Sequence, residues 1–139
     1  MKRIWIEVAS GDFTLESKIN GQKGLTAPKT KRYMNLLNEI NKGDIILHYL
    51  TTSLSSKKYQ SSFVAQSIAN TNLIEKENKY EIQLTELKML NNPVKLKHLK
   101  ECDALSSKFK HALKMSMQAY IFEIENKDYQ SILKLSNSK

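Results

Sequence analysis

Several residue types that carry familiar chemistry are scarce in this sequence. It has one cysteine, Cys102, in 139 residues. One thiol excludes an internal disulfide and any zinc site built on several cysteines. The three histidines, His48, His98 and His111, never form a closely spaced ligand pair. No apolar run approaches the roughly 20 residues of a membrane-spanning helix. The amino terminus, Met1 to Ser10, turns polar too early for a signal peptide. The expected setting is therefore a reducing one, the cytoplasm. Glycine is scarce at four, and no G-x-S-x-G, P-loop or G-x-G-x-x-G is present. Gly21-Gln22-Lys23-Gly24 is too short for a P-loop and lacks the Lys-Ser/Thr that follows one. Arginine is scarcer still, at Arg3 and Arg32 alone.

Lysine is abundant. Lys plus Arg is 22 against 14 acidic residues, a formal net charge of +8. An excess of this size favours a polyanionic partner, although a biased genome composition produces the same excess. Lysine is a mobile point charge that holds phosphates, whereas arginine's fork reads guanine. Hydrophobic residues make up 40% and charged residues 26%, a globular composition. The length suits one domain, residues 1–139, open to being the N-terminal part of a longer protein.

Periodicity sets out a mixed chain. Ile4–Val8 reads as a strand, and residues 17–30, with Gly21, Gly24 and Pro28, as a loop. Tyr33, Met34, Leu37 and Ile40 recur at helical spacing, and Asn41-Lys42-Gly43 stops that helix. Ile45–Leu50 is an apolar strand buried on both faces, followed by a polar stretch, Thr51–Gln60. Ser62–Ala69 and Tyr80–Leu90 are further strands, and Asn91-Asn92-Pro93 a turn. Val94–Lys100 reads as a short helix, and Ser106–Met117 as helical or irregular. Tyr120–Ile124 reads as a strand, and Asn126 as the cap of a last helix. Such interleaving without regular βαβ units gives an α+β fold with a curved mixed sheet or barrel and helices outside.

A catalytic constellation is not evident, and the expectation is that the chain is not an enzyme. His48 lies within a strand, where a hydrogen-bonded structural histidine is commoner than a base. Cys102 sits among charges, and Asp44 after Gly43 reads as turn chemistry. Glu123 and Glu125 share a strand face, as most solvated carboxylates do. No metal and no cofactor is expected.

Three stretches together carry a family resemblance. They are Ile4-Trp5-Ile6-Glu7-Val8-Ala9-Ser10, then Gly24-Leu25-Thr26-Ala27-Pro28-Lys29 with Lys42-Gly43-Asp44-Ile45-Ile46-Leu47-His48-Tyr49, and then Ser61-Ser62-Phe63-Val64-Ala65-Gln66-Ser67. Met117-Gln118-Ala119-Tyr120-Ile121 fits the last strand. This succession, spanning residues 3–125, resembles the EVE domain, a PUA-like fold similar to the YTH domain. It is similar to the EVE-type modules of modification-dependent restriction systems. The resemblance implies a PUA-like curved sheet or barrel of five or six strands flanked by helices. It further implies a nucleic-acid reader, of DNA before RNA, that holds a modified or flipped base and works with a nuclease or NTPase in the same or another chain. The competing readings are an RNA-binding PUA-like module and a small-molecule or protein-interaction module.

Carried over residue by residue, the base pocket would involve Ser10, Leu25, Thr26, Tyr49, Ser62 and Phe63. Thr26 stands where members of the family commonly carry tryptophan. Leu25, Phe63 and the lone tryptophan, Trp5, equally suit core positions. Tyr59 could close over a base. Phosphate contacts would come from Lys29, Lys31 and Arg32, from Lys57 and Lys58, and from Lys108 and Lys110 around Phe109.

Overall fold

A computed structural model describes residues 2–9, 24–50, 61–114 and 121–137. Strand β1 (Ile4–Ala9) is followed by β2 (Leu25–Pro28), helix α1 (Lys31–Leu37), β3 (Ile45–Leu50) and β4 (Ser62–Ala69). Then come β5 (Ile74–Glu75), β6 (Lys79–Ile82) and β7 (Leu84–Lys95). The chain ends with α2 (Leu96–Leu99), α3 (Ser107–Lys114), β8 (Ile121–Ile124) and α4 (Asn126–Asn137).

These strands form a five-stranded sheet, ordered β7-β4-β3-β1-β8, and a three-stranded sheet, ordered β2-β6-β5. The fold is α+β, as expected. β1 and β3 run parallel, Ile4 opposite Ile45 and Val8 opposite Tyr49. The other pairs are antiparallel.

Strand alternation feeds two cores from the larger sheet. Ile4, Ile6, Leu47, Tyr49 and Phe63 face one core, closed by Leu99, Leu105, Phe109, Leu113, Tyr129 and Ile132 from the helical segments. Trp5 and Ile46 face the other, closed by the small sheet (Leu25, Ala27, Tyr80, Ile82) and by Leu37 and Ile40. With both faces covered, β3 reads as a near-continuous apolar run, which is why its sequence lacks alternation.

Three elements differ from the sequence reading. The loop expected over 17–30 contains strand β2, paired residue for residue with β6 from Leu25–Ile82 to Pro28–Lys79. Gly24 makes that approach feasible, since a Cβ there would clash with the Ile82 carbonyl. Tyr80–Leu90 divides at Gln83 into β6 and β7, which belong to different sheets. Asn91-Asn92-Pro93 does not turn the chain but lies within β7. There the register breaks: Phe63 is opposite Val94, while Ala65 is opposite Met89. Turn-forming residues are accommodated as an outward irregularity of an edge strand, where proline forfeits no ladder bond. α4 holds it, with Asn92 Nδ2 donating to the Ser136 carbonyl at 2.8 Å and Asn91 bonded to Asn137.

Helix ends are fixed by short polar side chains. Thr30 Oγ1 accepts from the Tyr33 amide and starts α1. α1 gives way to a turn closed by Gly43, whose φ of 99° lies in the left-handed region. Ser106 Oγ accepts from the Phe109 amide at the start of α3. The cap of the last helix is expected at Asn126, but Asn126 is its first helical residue and pairs with Gln130, and the side chain that caps it is Asp128. Asp128 is fully buried. It accepts from the Glu125 amide at 3.1 Å, the Ser106 amide at 2.7 Å and Ser106 Oγ at 2.7 Å. One carboxylate thus joins the starts of α3 and α4. No helix among the described residues is long and apolar enough to cross a membrane.

Candidate nucleic-acid interface

The large sheet carries a row of aromatic rings at the end where β3 finishes and β4 begins. Tyr49 and Phe63 are opposite each other in register, their ring centroids 4.9 Å apart. Phe63 meets Phe109 of α3 edge-on at 6.3 Å. Burial raises the Tyr49 hydroxyl above the usual tyrosine range, and a hydrogen bond with Ser61 partly offsets this. A neighbouring register pair sets Ser62 beside Lys95, and the Leu96 amide donates to the Ser61 carbonyl. These bonds seat α2 against the start of β4.

The predicted pocket residues divide between the two cores. Tyr49 and Phe63, 2% and 0% exposed, come together in the first. Leu25 is fully buried in the second, with Trp5. Thr26 projects outward from β2, between buried Leu25 and Ala27. Ser62 is fully buried. Ser10, Lys57, Lys58 and Tyr59 lie outside the described residues.

The predicted phosphate contacts differ from one another in what they already hold. Lys29 is engaged: its Nζ is 3.0 Å from Glu75 Oε2 and 5.8 Å from the Tyr80 ring centroid. Lys31 and Arg32 are exposed on α1, with the Arg32 guanidinium over Tyr33. Lys108 and Lys110 are exposed on α3. They line different hollows, Lys108 one with Arg3 and Glu123, Lys110 one with Leu99 and Leu113. The sequence reading did not single out Lys97, Lys100 and Lys114, which extend this basic surface along α2 and α3. Lys95, at its start, has its ammonium pushed below the usual lysine range by burial and by the charge of Lys97.

Three buried carboxylates also escaped sequence reading in their full roles. Glu7 Oε1 is 2.7 Å from His48 Nδ1, and His48 Nε2 is 2.7 Å from Ser67 Oγ. Glu7, His48 and Ser67 are 5%, 0% and 1% exposed. A ring protonated at Nδ1 donates to Glu7 and accepts from Ser67. The order Ser-His-Glu imitates a hydrolase triad, but a nucleophile must be reached, and this hydroxyl is sealed. The trio instead ties β4, β3 and β1 together. Asp44, read as turn chemistry, accepts from the Asn41 amide at 2.9 Å and also from Trp5 Nε1 at 3.0 Å and the Arg3 amide at 3.1 Å. Trp5 is thereby fixed as a core residue. The third is Asp128, already described. One sequence signal was available for the first of them: Glu7 interrupts an otherwise apolar strand. Among the described residues no three His, Cys, Asp or Glu side chains gather as a metal site.

Comparison with known proteins supplies the remaining context. No family model matches the chain, and no curated protein matches it. Solved structures do. The DUF55 domain of human thymocyte nuclear protein 1 superposes with a TM-score of 0.70 at 11% identity, covering 97% of this chain and 99% of that one. Human THYN1 in complex with DNA containing 5-methylcytosine superposes with a TM-score of 0.66 at 11% identity, covering 99% of each chain. The N-terminal domain of McrB from Staphylothermus marinus superposes with a TM-score of 0.60 at 14% identity, covering 96% of this chain and 94% of that one. The two-core sheet described above is thus an EVE-like, PUA-like fold, shared with these structures over nearly the whole chain.

Proposed function

We propose that this chain is a DNA reader that binds a methylated or otherwise modified base, out of its stack, and brings a nuclease to the DNA that carries it. The observation that supports this best is the surface of α2 and α3. Lys97, Lys100, Lys108, Lys110 and Lys114 are exposed there, and none makes an ion pair among the described residues. Lys100, Lys110 and Lys114 gather around one hollow, and unpaired ammoniums so gathered suit a phosphate backbone, which they hold without reading sequence. Phe109, on the same helix as Lys108, Lys110 and Lys114, is buried against Phe63 and anchors this surface from beneath. The fold shared with a human protein solved on 5-methylcytosine DNA agrees with a nucleic-acid partner. The nuclease role rests on the resemblance to modules of modification-dependent restriction systems.

The reading asks for binding, not bond breaking. Unstacking a base from a duplex costs a few kcal/mol, and stacking on aromatic side chains returns about 1–3 kcal/mol. A methyl in a fitted apolar corner adds about 1–3 kcal/mol, so discrimination of about tenfold or more is expected. The test is titration of equal-length DNA and RNA with the wild type and with a variant carrying Lys97, Lys100, Lys110 and Lys114 all changed to Ala. DNA binding that weakens in the variant and favours DNA over RNA agrees with the proposal. Preference for RNA turns it toward an RNA-binding module. Binding of neither leaves the charge without a nucleic-acid role and overturns it.

A further inference from the structure

A hollow of about 390 Å³ lies between the end of α2 and α3. Beneath it lie the core leucines Leu99, Leu105 and Leu113, 0%, 5% and 2% exposed, so its apolar surface comes from their edges, the half-buried Cys102 and the lysine stems. Its rim is charged. Lys100, Lys110 and Lys114 stand around it with one carboxylate, Asp103. None of these four makes an ion pair among the described residues. Lys110 and Lys114 are four apart on one helix, so their stems rise side by side from the same face.

We propose that this hollow binds a nucleotide. Three ammoniums against one carboxylate select an anion, and two neighbouring lysines suit a phosphate. An apolar surface suits a flat, weakly hydrated body such as a base, and the volume falls in the range of small-ligand sites. The lone carboxylate gives the base's exocyclic amine an acceptor, the pairing by which Asp reads cytosine. A fatty acid would leave Asp103 unused, and a bare phosphate would leave the apolar surface unused. The nucleotide comes either free from solution or as one unit of a bound strand. The inference does not require the chain to read modified bases.

Cys102 lines the hollow and is the chain's one thiol, which makes it a local reporter. Its modification by N-ethylmaleimide, a neutral reagent, can be followed by mass spectrometry on the whole chain. Saturating deoxycytidine monophosphate, or a short single-stranded DNA, is expected to slow that reaction at least tenfold. Deoxycytidine without phosphate should need at least tenfold more ligand. Paired reversal of Lys110→Glu and Lys114→Glu, both exposed, should abolish protection without changing the unfolding midpoint by more than a few tenths of a molar. Protection by the mononucleotide identifies a free ligand, and protection by the strand alone identifies a strand subsite. No protection by either, or protection that survives the double reversal, overturns the proposal. A preference for methylated DNA is measured separately, so either idea can fail without the other.

Discussion

Glu7, His48 and Ser67 show what a buried polar group demands of its neighbours. Glu7 and Ser67 each bond to His48, and among the described residues no buried side-chain nitrogen or oxygen lacks a partner. His48→Ala should therefore destabilise the fold by about 3–5 kcal/mol, measured by denaturant unfolding, because it removes the imidazole that the buried Glu7 carboxylate and Ser67 hydroxyl both bond. Arg3 and Glu123 make the opposite case. Two bonds of 2.8 and 2.7 Å join them, yet each side chain is about one-third exposed. The hydrogen bond with Arg3 holds the Glu123 carboxyl below the usual range, against a smaller effect of burial. A carboxyl lowered in the folded state stabilises it at neutral pH. That contribution fades as acid carries the pH down through the lowered value. Solvent screening keeps it to about 1 kcal/mol or less. Glu123→Gln should thus cost less than about 1 kcal/mol at pH 7, and the difference from wild type should vanish in acid. A loss that persists undiminished in acid would contradict this assignment. At the candidate site, Tyr49 is too buried for truncation to report on binding alone. Tyr49→Phe keeps the ring and removes the hydroxyl, which makes it the informative variant.

At the scale of elements, most of what the sequence reveals comes from its hydrophobic pattern. β3 and β4 are found at Ile45–Leu50 and Ser62–Ala69, the limits their apolar runs suggest. β2 is not legible, because Leu25-Thr26-Ala27-Pro28 is short, contains proline and follows a glycine-bearing stretch. Only its pairing with β6, far along the chain, makes it a strand. The Asn91-Asn92-Pro93 irregularity is illegible for the converse reason: a local turn signal is overridden by pairing on both sides of it and by contacts from α4. The site divides in the same way. Exposed lysines on α3 can be read from a helical pattern, but the tilted and edge-on contacts of Phe63 with Tyr49 and Phe109 depend on tertiary packing. Asp128 joins two elements that sequence reading treats separately. Asp128→Ala leaves the Ser106 and Glu125 amides without their acceptor. It should cost about 3 kcal/mol in unfolding free energy, several times the loss expected at an exposed cap such as Thr30→Ala, about 1 kcal/mol. Equal losses at the two sites would show that the joint between α3 and α4 adds nothing.

For the whole molecule, the net charge of +8 matters less than where it is left unspent. Lys29 is committed to Glu75 and Lys108 lies near Glu123, whereas Lys97, Lys100, Lys110 and Lys114 form no ion pair among the described residues. Lys29→Ala should barely change DNA affinity. Each of Lys97→Ala, Lys100→Ala and Lys114→Ala should weaken binding to all sequences alike and lower the slope of log affinity against log salt by about 1 where it removes one phosphate contact. With only two arginines, one of them joined to Glu123, this surface is poorly equipped to read base edges, and selectivity must come from a pocket. The most direct measurement compares two DNA duplexes that differ only in 5-methylcytosine against cytosine, titrated at matched salt. The account predicts about tenfold or tighter binding of the methylated duplex, with both affinities falling steeply as salt rises. Equal affinity for the two, or affinity indifferent to salt, would contradict it.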